Sequence, residues 1–431
     1  MSWTPAQAEE HVLSLELFGM RFGLERMRRL LTVLGSPQKR FRAVHVVGTN
    51  GKSSTVRFTA ALLEAAGCRT GSYLSPHLTT YAERIRLGDR DLTGPEFARA
   101  IERAANAAAK VDRTSPDGER VTQFELLTAA AFAEFAARGV EVAVVEAGLG
   151  GRYDATNVLG AEVVVLTNVG LEHTRWLGPT IPDIAGEKLA VVQPQATLVL
   201  GESDPDVVAL AEATGAKIVR PAAPAAIGAA GSSPAAGSPL VAGEAASGGA
   251  SADLAAALPG YQRRNFAAAQ AAAAALLGHA LDPAAVAEVA AHAAVPGRLQ
   301  IIDRAPLTLV DGAHNAPGIA ALAESVPEGT VAVIAVLDDK DAAAMLKALL
   351  PRLKAAVFTR APNPRALPPA TLADLASKVG TIDSEIEPDP RKAVSRAREL
   401  AGEQGTVLAT GSIYLVADLL SAPGARRASA L

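Results

Sequence analysis

Several modes of action are closed to this chain by what it lacks. Among 431 residues there is one cysteine, Cys68, so neither an intramolecular disulfide nor a multi-cysteine zinc site can form. Aromatic residues make up only 4% of the chain, which leaves few platforms for stacking bases. Neither sign of charge is in excess: 41 basic against 45 acidic residues give a formal net of -4, without the basic surplus of a dedicated nucleic-acid binder. No apolar run reaches the roughly 20 residues needed to cross a bilayer, and the longest candidate, Phe266 to Leu277, is short and mostly alanine. Met1 to Glu10 is polar and acidic, unlike a secretory signal. The expectation is a cytoplasmic protein that works on small molecules, without nucleic acid or membrane, and as a monomer.

Apolar residues account for 49% of the chain, enough for more than one core and too many for wholesale disorder. At about 150 residues per domain, two or three domains are expected. Short apolar runs end at glycine or acidic residues and alternate with helical segments. Ala43 to Val47, Val142 to Val145, Val163 to Leu166 and Thr197 to Leu200 read as strands, and Gln123 to Arg138 as a helix. Near-continuous apolar strands separated by helices predict a mainly parallel sheet covered on both faces. Pro221 to Ala257 is Ala, Gly, Ser and Pro with few large side chains, the composition of a flexible loop or linker. A second α/β unit begins near Pro296, with strands at Leu307 to Val310, Val331 to Val336, Ala355 to Thr359 and Thr406 to Thr410. The boundary is placed at Val295, giving domains 1–295 and 296–431. Ligand groups are expected at the carboxyl ends of both sets of strands.

Gly48-Thr49-Asn50-Gly51-Lys52-Ser53-Ser54 lies between a strand and a helix. Glycines let backbone N–H groups approach phosphate oxygens, the helix N-terminus adds positive potential, Lys52 reaches the outer phosphates, and a hydroxyl at Ser53 or Ser54 meets phosphate or Mg²⁺. The strict phosphate-loop spacing fails, because its first glycine position is Val46 and Gly48 supplies the early glycine two residues later. Glu146 ends a strand and suits an oxygen-liganded Mg²⁺, although a helix cap or a turn acid is the plainer alternative. On residue type alone, His173 reads as a loop histidine and Lys188 as a solvated helix lysine.

The loop is similar to that of the Mur ligase superfamily. Further segments resemble its folate branch, the folylpolyglutamate and dihydrofolate synthases: Ser75-Pro76-His77-Leu78, Phe124-Glu125-Leu126-Leu127-Thr128, Val145 to Asn157 with its Gly-Leu-Gly-Gly-Arg-Tyr-Asp core, His173-Thr174 with Trp176-Leu177-Gly178, Glu187-Lys188, Pro296-Gly297-Arg298 and Asp311-Gly312-Ala313-His314-Asn315. They follow one another in family order over residues 40 to 315. The resemblance implies a P-loop NTPase-like N-terminal domain and a smaller Rossmann-like C-terminal domain. It implies ATP contacts from Gly48 through Ser54 and from Asn265, Arg298 and Asp311. It implies Mg²⁺ on Ser75, Glu146 and His173, with a second Mg²⁺ on Lys188 if that lysine is carbamylated. A pterin is implied at Thr122, Gln123, Phe124, Glu125, Tyr153, Asp154 and Ala155. Phe124 is equally a core residue by periodicity, and Asp311 equally an Asx-turn residue. Lys52, Lys188 and His314 are the expected catalytic groups.

The implied chemistry is amide ligation. A dihydropteroate or reduced-folate carboxylate takes the γ-phosphoryl group of ATP, and the amine of L-glutamate displaces phosphate from the acyl phosphate. The competing expectations are a Mur-type cell-wall peptide ligase and a P-loop NTPase switch. Three positions depart from the family pattern: Ser53 where the folate branch has Gly, Arg175 where Asp follows His-Thr, and Gly186 where Arg is common.

Overall fold

A computed structural model describes residues 2–15, 23–115, 118–222 and 258–422. The low-complexity stretch singled out at 221–257 lies almost wholly outside the described residues. Contacts between Cα atoms divide the chain into one unit of Met1–Pro76 and Tyr81–Ala293, and a second of His77–Thr80 and Ala294–Leu431. The segment Ser75 to Leu78 is thus split, with Leu78 packed against the core of the second unit.

In the first unit the strands are β1 (Arg42–Val47), β2 (Thr70–Tyr73), β3 (Ile85–Leu87), β4 (Arg90–Asp91), β5 (Val142–Glu146), β6 (Val163–Leu166), β7 (Thr197–Leu200) and β8 (Lys217–Val219). Their order is β4-β3-β2-β5-β1-β6-β7-β8. The pairs from β2 to β8 are parallel, and β3 and β4 extend one edge antiparallel. Each residue of β1 after Arg42, and all of β5 and β6, is buried, as expected for strands covered on both faces. The cover comes from helices. Gly94–Arg113 and Gln123–Ala137 bring Phe97, Ile101, Phe132 and Phe135 into the core. Lys52–Ala65 packs on Gly260–Leu277, where Phe58 and Phe266 meet edge to face at 5.3 Å.

The second unit holds β9 (Gln300–Arg304), β10 (Leu307–Val310), β11 (Thr330–Ile334), β12 (Leu353–Phe358), β13 (Asp383–Ile386) and β14 (Thr406–Thr410), in the order β13-β12-β11-β14-β10-β9. Only β9 is antiparallel to its neighbour. Both units are therefore α/β with mainly parallel sheets, as the alternation of apolar runs and helices predicts. Among the described residues, no helix is long and apolar enough to cross a membrane.

Candidate active site

The phosphate loop joins β1 to the helix Lys52–Ala65. Gly48 has φ +146°, and a Cβ there would run into Thr167 Oγ1; only glycine combines this backbone with so close an approach. The loop is held from the carboxyl end of β6. Asn168 Oδ1 accepts from Asn50 N at 2.9 Å, Thr167 Oγ1 donates to Asn50 O at 2.7 Å, and Thr49 Oγ1 accepts from Gly170 N at 3.0 Å. Gly51 lies so close to Asn265 that a Cβ would strike the amide oxygen, while Asn265 Nδ2 donates to Gln262 Oε1 at 3.0 Å. The loop residues and Asn265 thus come together although Gly51 and Asn265 are 214 positions apart.

The charged groups around the loop close on one another. Lys52 Nζ turns back to donate to Gly48 O at 2.8 Å and Thr49 O at 3.1 Å. Lys188, on the helix Ile181–Leu189, donates to the same Gly48 oxygen at 3.0 Å and to Glu172 Oε1 at 2.7 Å. The solvated-lysine reading of Lys188 is overturned: it is 1% exposed. Burial pushes its ammonium down from the ordinary lysine range, with Glu172 opposing. Burial acts to raise Glu172 in turn, but Lys52 and Lys188 outweigh it and hold this carboxyl down to about 2.

Glu146, at the end of β5, is 1% exposed. Its Oε1 accepts from Ser53 Oγ at 2.9 Å and its Oε2 from Ser75 N at 3.1 Å. The Ser53 hydroxyl and the Glu146 carboxylate make an all-oxygen pair beside the phosphate loop. Such a pair fits Mg²⁺, which takes one or two protein oxygens and completes its shell with waters and phosphates. Among the described residues there is no cluster of three or more His, Cys, Asp or Glu of the kind a protein-only metal cage would need. His173 takes the left-handed conformation, φ 47°, at the start of the short helix Thr174–Leu177. Arg175 stacks over Trp176 at 5.1 Å.

The residues read as pterin contacts fall in two groups. Thr122 caps the helix Gln123–Ala137, and its hydroxyl donates to Glu125 Oε2 at 2.9 Å. Glu125 also pairs with Arg26 Nε at 2.7 Å, and Gln123 Nε2 donates to Val12 O at 2.8 Å. Phe124 is half-buried, and its ring leaves no room for a Cβ on Gly148, which would sit 2.5 Å from Cζ. Asp154 is 6% exposed and accepts from Leu149 N at 2.8 Å, from Thr156 N at 3.0 Å and from the Thr156 hydroxyl. Ala155 is buried, while Tyr153 is 48% exposed. Phe124, Gly148 and the Asp154 bracket are thus brought together, and Tyr153 stands out in solvent.

In the second unit, Asp311 follows β10 and is 1% exposed. Its Oδ1 accepts from Ala313 N at 2.8 Å, the Asx-turn geometry, and its Oδ2 from Leu299 N at 2.9 Å. Arg298 Nη1 lies 3.9 Å from Asp311 Oδ1. His314 Nδ1 is 2.9 Å from Gly312 O.

Glu172, Thr167, Asn168, His45 and Thr156 carry much of this geometry and were not singled out from the sequence. Thr167 and Asn168 follow an apolar strand, the same signal that exposed Glu146. Glu172 precedes the flagged His173. His45 gave no signal, since its partner Thr156 is 111 positions away.

A phosphate loop on a parallel sheet, followed by a second parallel α/β unit, is the arrangement of a Mur-type ligase. The Mur ligase middle domain matches residues 46–225, and the Mur ligase glutamate ligase domain matches residues 297–413. The dihydrofolate synthase/folylpolyglutamate synthase of Bacillus subtilis is 32% identical over 93% of this chain and 95% of its own length. Mycobacterium tuberculosis folylpolyglutamate synthase complexed with ADP superposes with a TM-score of 0.83, at 31% identity over 96% of this chain and 97% of that one. Escherichia coli FolC in complex with DHPP and ADP superposes with a TM-score of 0.79, at 27% identity over 97% of each chain. The chain belongs to the dihydrofolate synthase/folylpolyglutamate synthase family of ATP-dependent ligases.

Proposed function

We propose that this enzyme joins L-glutamate to dihydropteroate, to reduced folates, or to both, through an acyl phosphate, releasing ADP and phosphate. The observation that carries the reading is the phosphate loop with its two lysines converging on Gly48 O, beside the Ser53–Glu146 oxygen pair. A carboxylate is a poor electrophile, so ATP must first convert it to an acyl phosphate. Gly48 through Ser54 cradle the phosphates, and Asn265 backs the loop at Gly51. Lys52 leaves the Gly48 and Thr49 carbonyls to neutralise charge on the outer phosphates, a positional and electrostatic contribution. Arg298 and Asp311 supply the second unit's nucleotide contacts, and His314 meets the phosphoryl group or the incoming glutamate.

Mg²⁺ fits Ser53 and Glu146, with Ser75 and His173 as the further ligands that the family pattern implies, and would neutralise developing charge on the transferred phosphoryl group. Lys188, as an ammonium donating to Gly48 O and Glu172, braces the loop and is no metal ligand; after carbamylation its oxygens would accept a cation. Phe124, Gly148 and the Asp154 loop take the pterin, with Thr122, Gln123 and Glu125 fixing the helix that presents Phe124, and Tyr153 and Ala155 flanking it. The lone Cys68 suits a reducing cytoplasm. A monomer is expected, which size-exclusion with light scattering checks.

ADP release should require a pteroate or folate, L-glutamate and Mg²⁺ together. Stimulation by UDP-linked muropeptides instead would mark a cell-wall ligase, and turnover independent of any acceptor would mark an NTPase switch. Parallel assays with dihydropteroate and tetrahydrofolate then separate the two folate steps.

A further inference from the structure

A chain of buried polar groups runs from β1 to the loop that follows β5. His45 is 1% exposed, Thr156 is fully buried and Asp154 is 6% exposed. His45 Nε2 lies 2.8 Å from Thr156 Oγ1, and the Thr156 hydroxyl donates to Asp154 Oδ1.

The direction of this chain follows from counting protons. Asp154 faces donors: the Leu149 and Thr156 amides both point at it. Burial pushes the Asp154 carboxyl up and these donors oppose it; the Thr156 hydroxyl, which donates to it, has one proton to give. That proton goes to Asp154, so Thr156 Oγ1 must accept from His45, and the imidazole carries its proton on Nε2. Burial keeps the ring neutral, pushing its pKa down to about 4. His45 stands three residues before Gly48, in register with Val145 and Val164 on the flanking strands. The relay therefore ties the strand that leads into the phosphate loop to the 147–162 connection between β5 and β6, at a point inside that connection rather than at its ends.

We propose that His45 and Thr156 are positioning residues for the acceptor substrate: through them the Asp154 loop is held in the one conformation that receives the pterin. This rests on the reading that the 148–155 loop takes the pterin. Asp154 orients Leu149 and Gly148 by accepting Leu149 N, and Gly148 is the residue over which the Phe124 ring lies. Losing the His45 donor leaves the Thr156 hydroxyl without its fixed orientation, and Asp154 is then aimed by the Leu149 and Thr156 amides alone. The nucleotide side does not depend on the relay, because the phosphate loop is held separately by Thr167 and Asn168.

The test is steady-state ADP release by the full chain, with dihydropteroate and ATP varied in turn, in wild type, His45→Leu, Thr156→Val, the double variant and Thr156→Ser. Each of the first two should raise KM for dihydropteroate about ten-fold, with KM for ATP changed less than about two-fold. The double variant should be no worse than Thr156→Val, since both break one relay. Thr156→Ser keeps the hydroxyl and should restore the wild-type KM. Equal rises in both KM values, or multiplying effects in the double variant, overturn the proposal. Should His45→Leu fail to fold, the Thr156→Val and Thr156→Ser pair decides alone. Wild type unstimulated by any pteroate or folate would remove the substrate reading and this inference with it. Wild type that is stimulated, with variants showing no selective KM effect, removes only the inference.

Discussion

The carboxyl ends of the two sheets are furnished in opposite ways. In the first unit, buried charges meet other side chains: Lys188 pairs with Glu172 at 2.7 Å, and Glu146 accepts from the Ser53 hydroxyl as well as from Ser75 N. In the second, the buried acid Asp311 accepts from the backbone amides of Leu299 and Ala313, and the cation Arg298 stands 3.9 Å off with a quarter of its side chain exposed. A buried pair is costly to break, because the survivor keeps its desolvation without its partner. A partly exposed cation with only a long contact to its acid is cheap to remove for the fold and expensive mainly for the ligand it meets. The first site is therefore part of its unit's stability, while the second is mostly a tool.

The sharpest test of that contrast is Lys52→Ala, which should cut ADP release about 10³-fold or more and also lower the melting temperature of the first unit, because Lys52 helps hold the buried Glu172 ionised. An unchanged melting temperature would mean that this lysine serves ATP alone and is no part of the unit's stability. Next in size is Glu172→Gln, which strands the buried Lys188 ammonium. The first unit should lose about 3–5 kcal/mol, read as the shift in its urea midpoint. Arg298→Ala is the matching change in the second unit: kcat should fall about 100-fold with the urea midpoint unmoved. Comparable destabilisation by Arg298→Ala and Glu172→Gln would erase the contrast.

A smaller effect comes from pH. His45 titrates near 6.5 when unfolded and is pushed down to about 4 by burial, so between those values the unfolded state binds the extra proton. Stability then rises with pH, is complete above 6.5, and is lost on acidification towards 4. Going from pH 7 to pH 5 should cost the first unit about 2 kcal/mol through this group. His45→Gln should flatten that part of the pH–stability curve in urea titrations. Smallest of all is Arg175→Ala, which removes a stacking contact on the exposed Trp176. It should change stability by about 1 kcal/mol or less. A large change in KM for glutamate in that variant would instead give the departure at Arg175 a catalytic meaning.

The legible part of the fold was the part whose burial shows in composition. β1, β5, β6 and β7 are valine- and leucine-rich runs covered on both faces, and periodicity alone finds them. β2, Thr70-Gly71-Ser72-Tyr73, is just as buried yet has no apolar run to mark it. Gly71 makes room for the Phe135 ring, since a Cβ there would lie 2.6 Å from it. β9 and β13 sit at sheet edges with exposed or half-buried side chains, so their patterns are polar. In the site, the phosphate loop was legible because strand, Gly-Lys-Ser and helix are contiguous. The Lys188–Glu172 pair was not, because a lone lysine on a helix looks solvated until a loop is folded over it.

By itself, the sequence determined the chemistry on offer: a phosphate loop, an acid at a strand end, an Arg and an Asp in a second α/β unit, and an ordered set of motifs that names the family. Local order is enough for these, since each is written within a few consecutive residues. Which charges are buried, which partners they take and which groups brace a loop were decided only in tertiary structure. Lys188 meets Gly48 across 140 positions and His45 meets Thr156 across 111. Their protonation and orientation come from desolvation and from hydrogen bonds that exist only once the sheet and its loops are assembled.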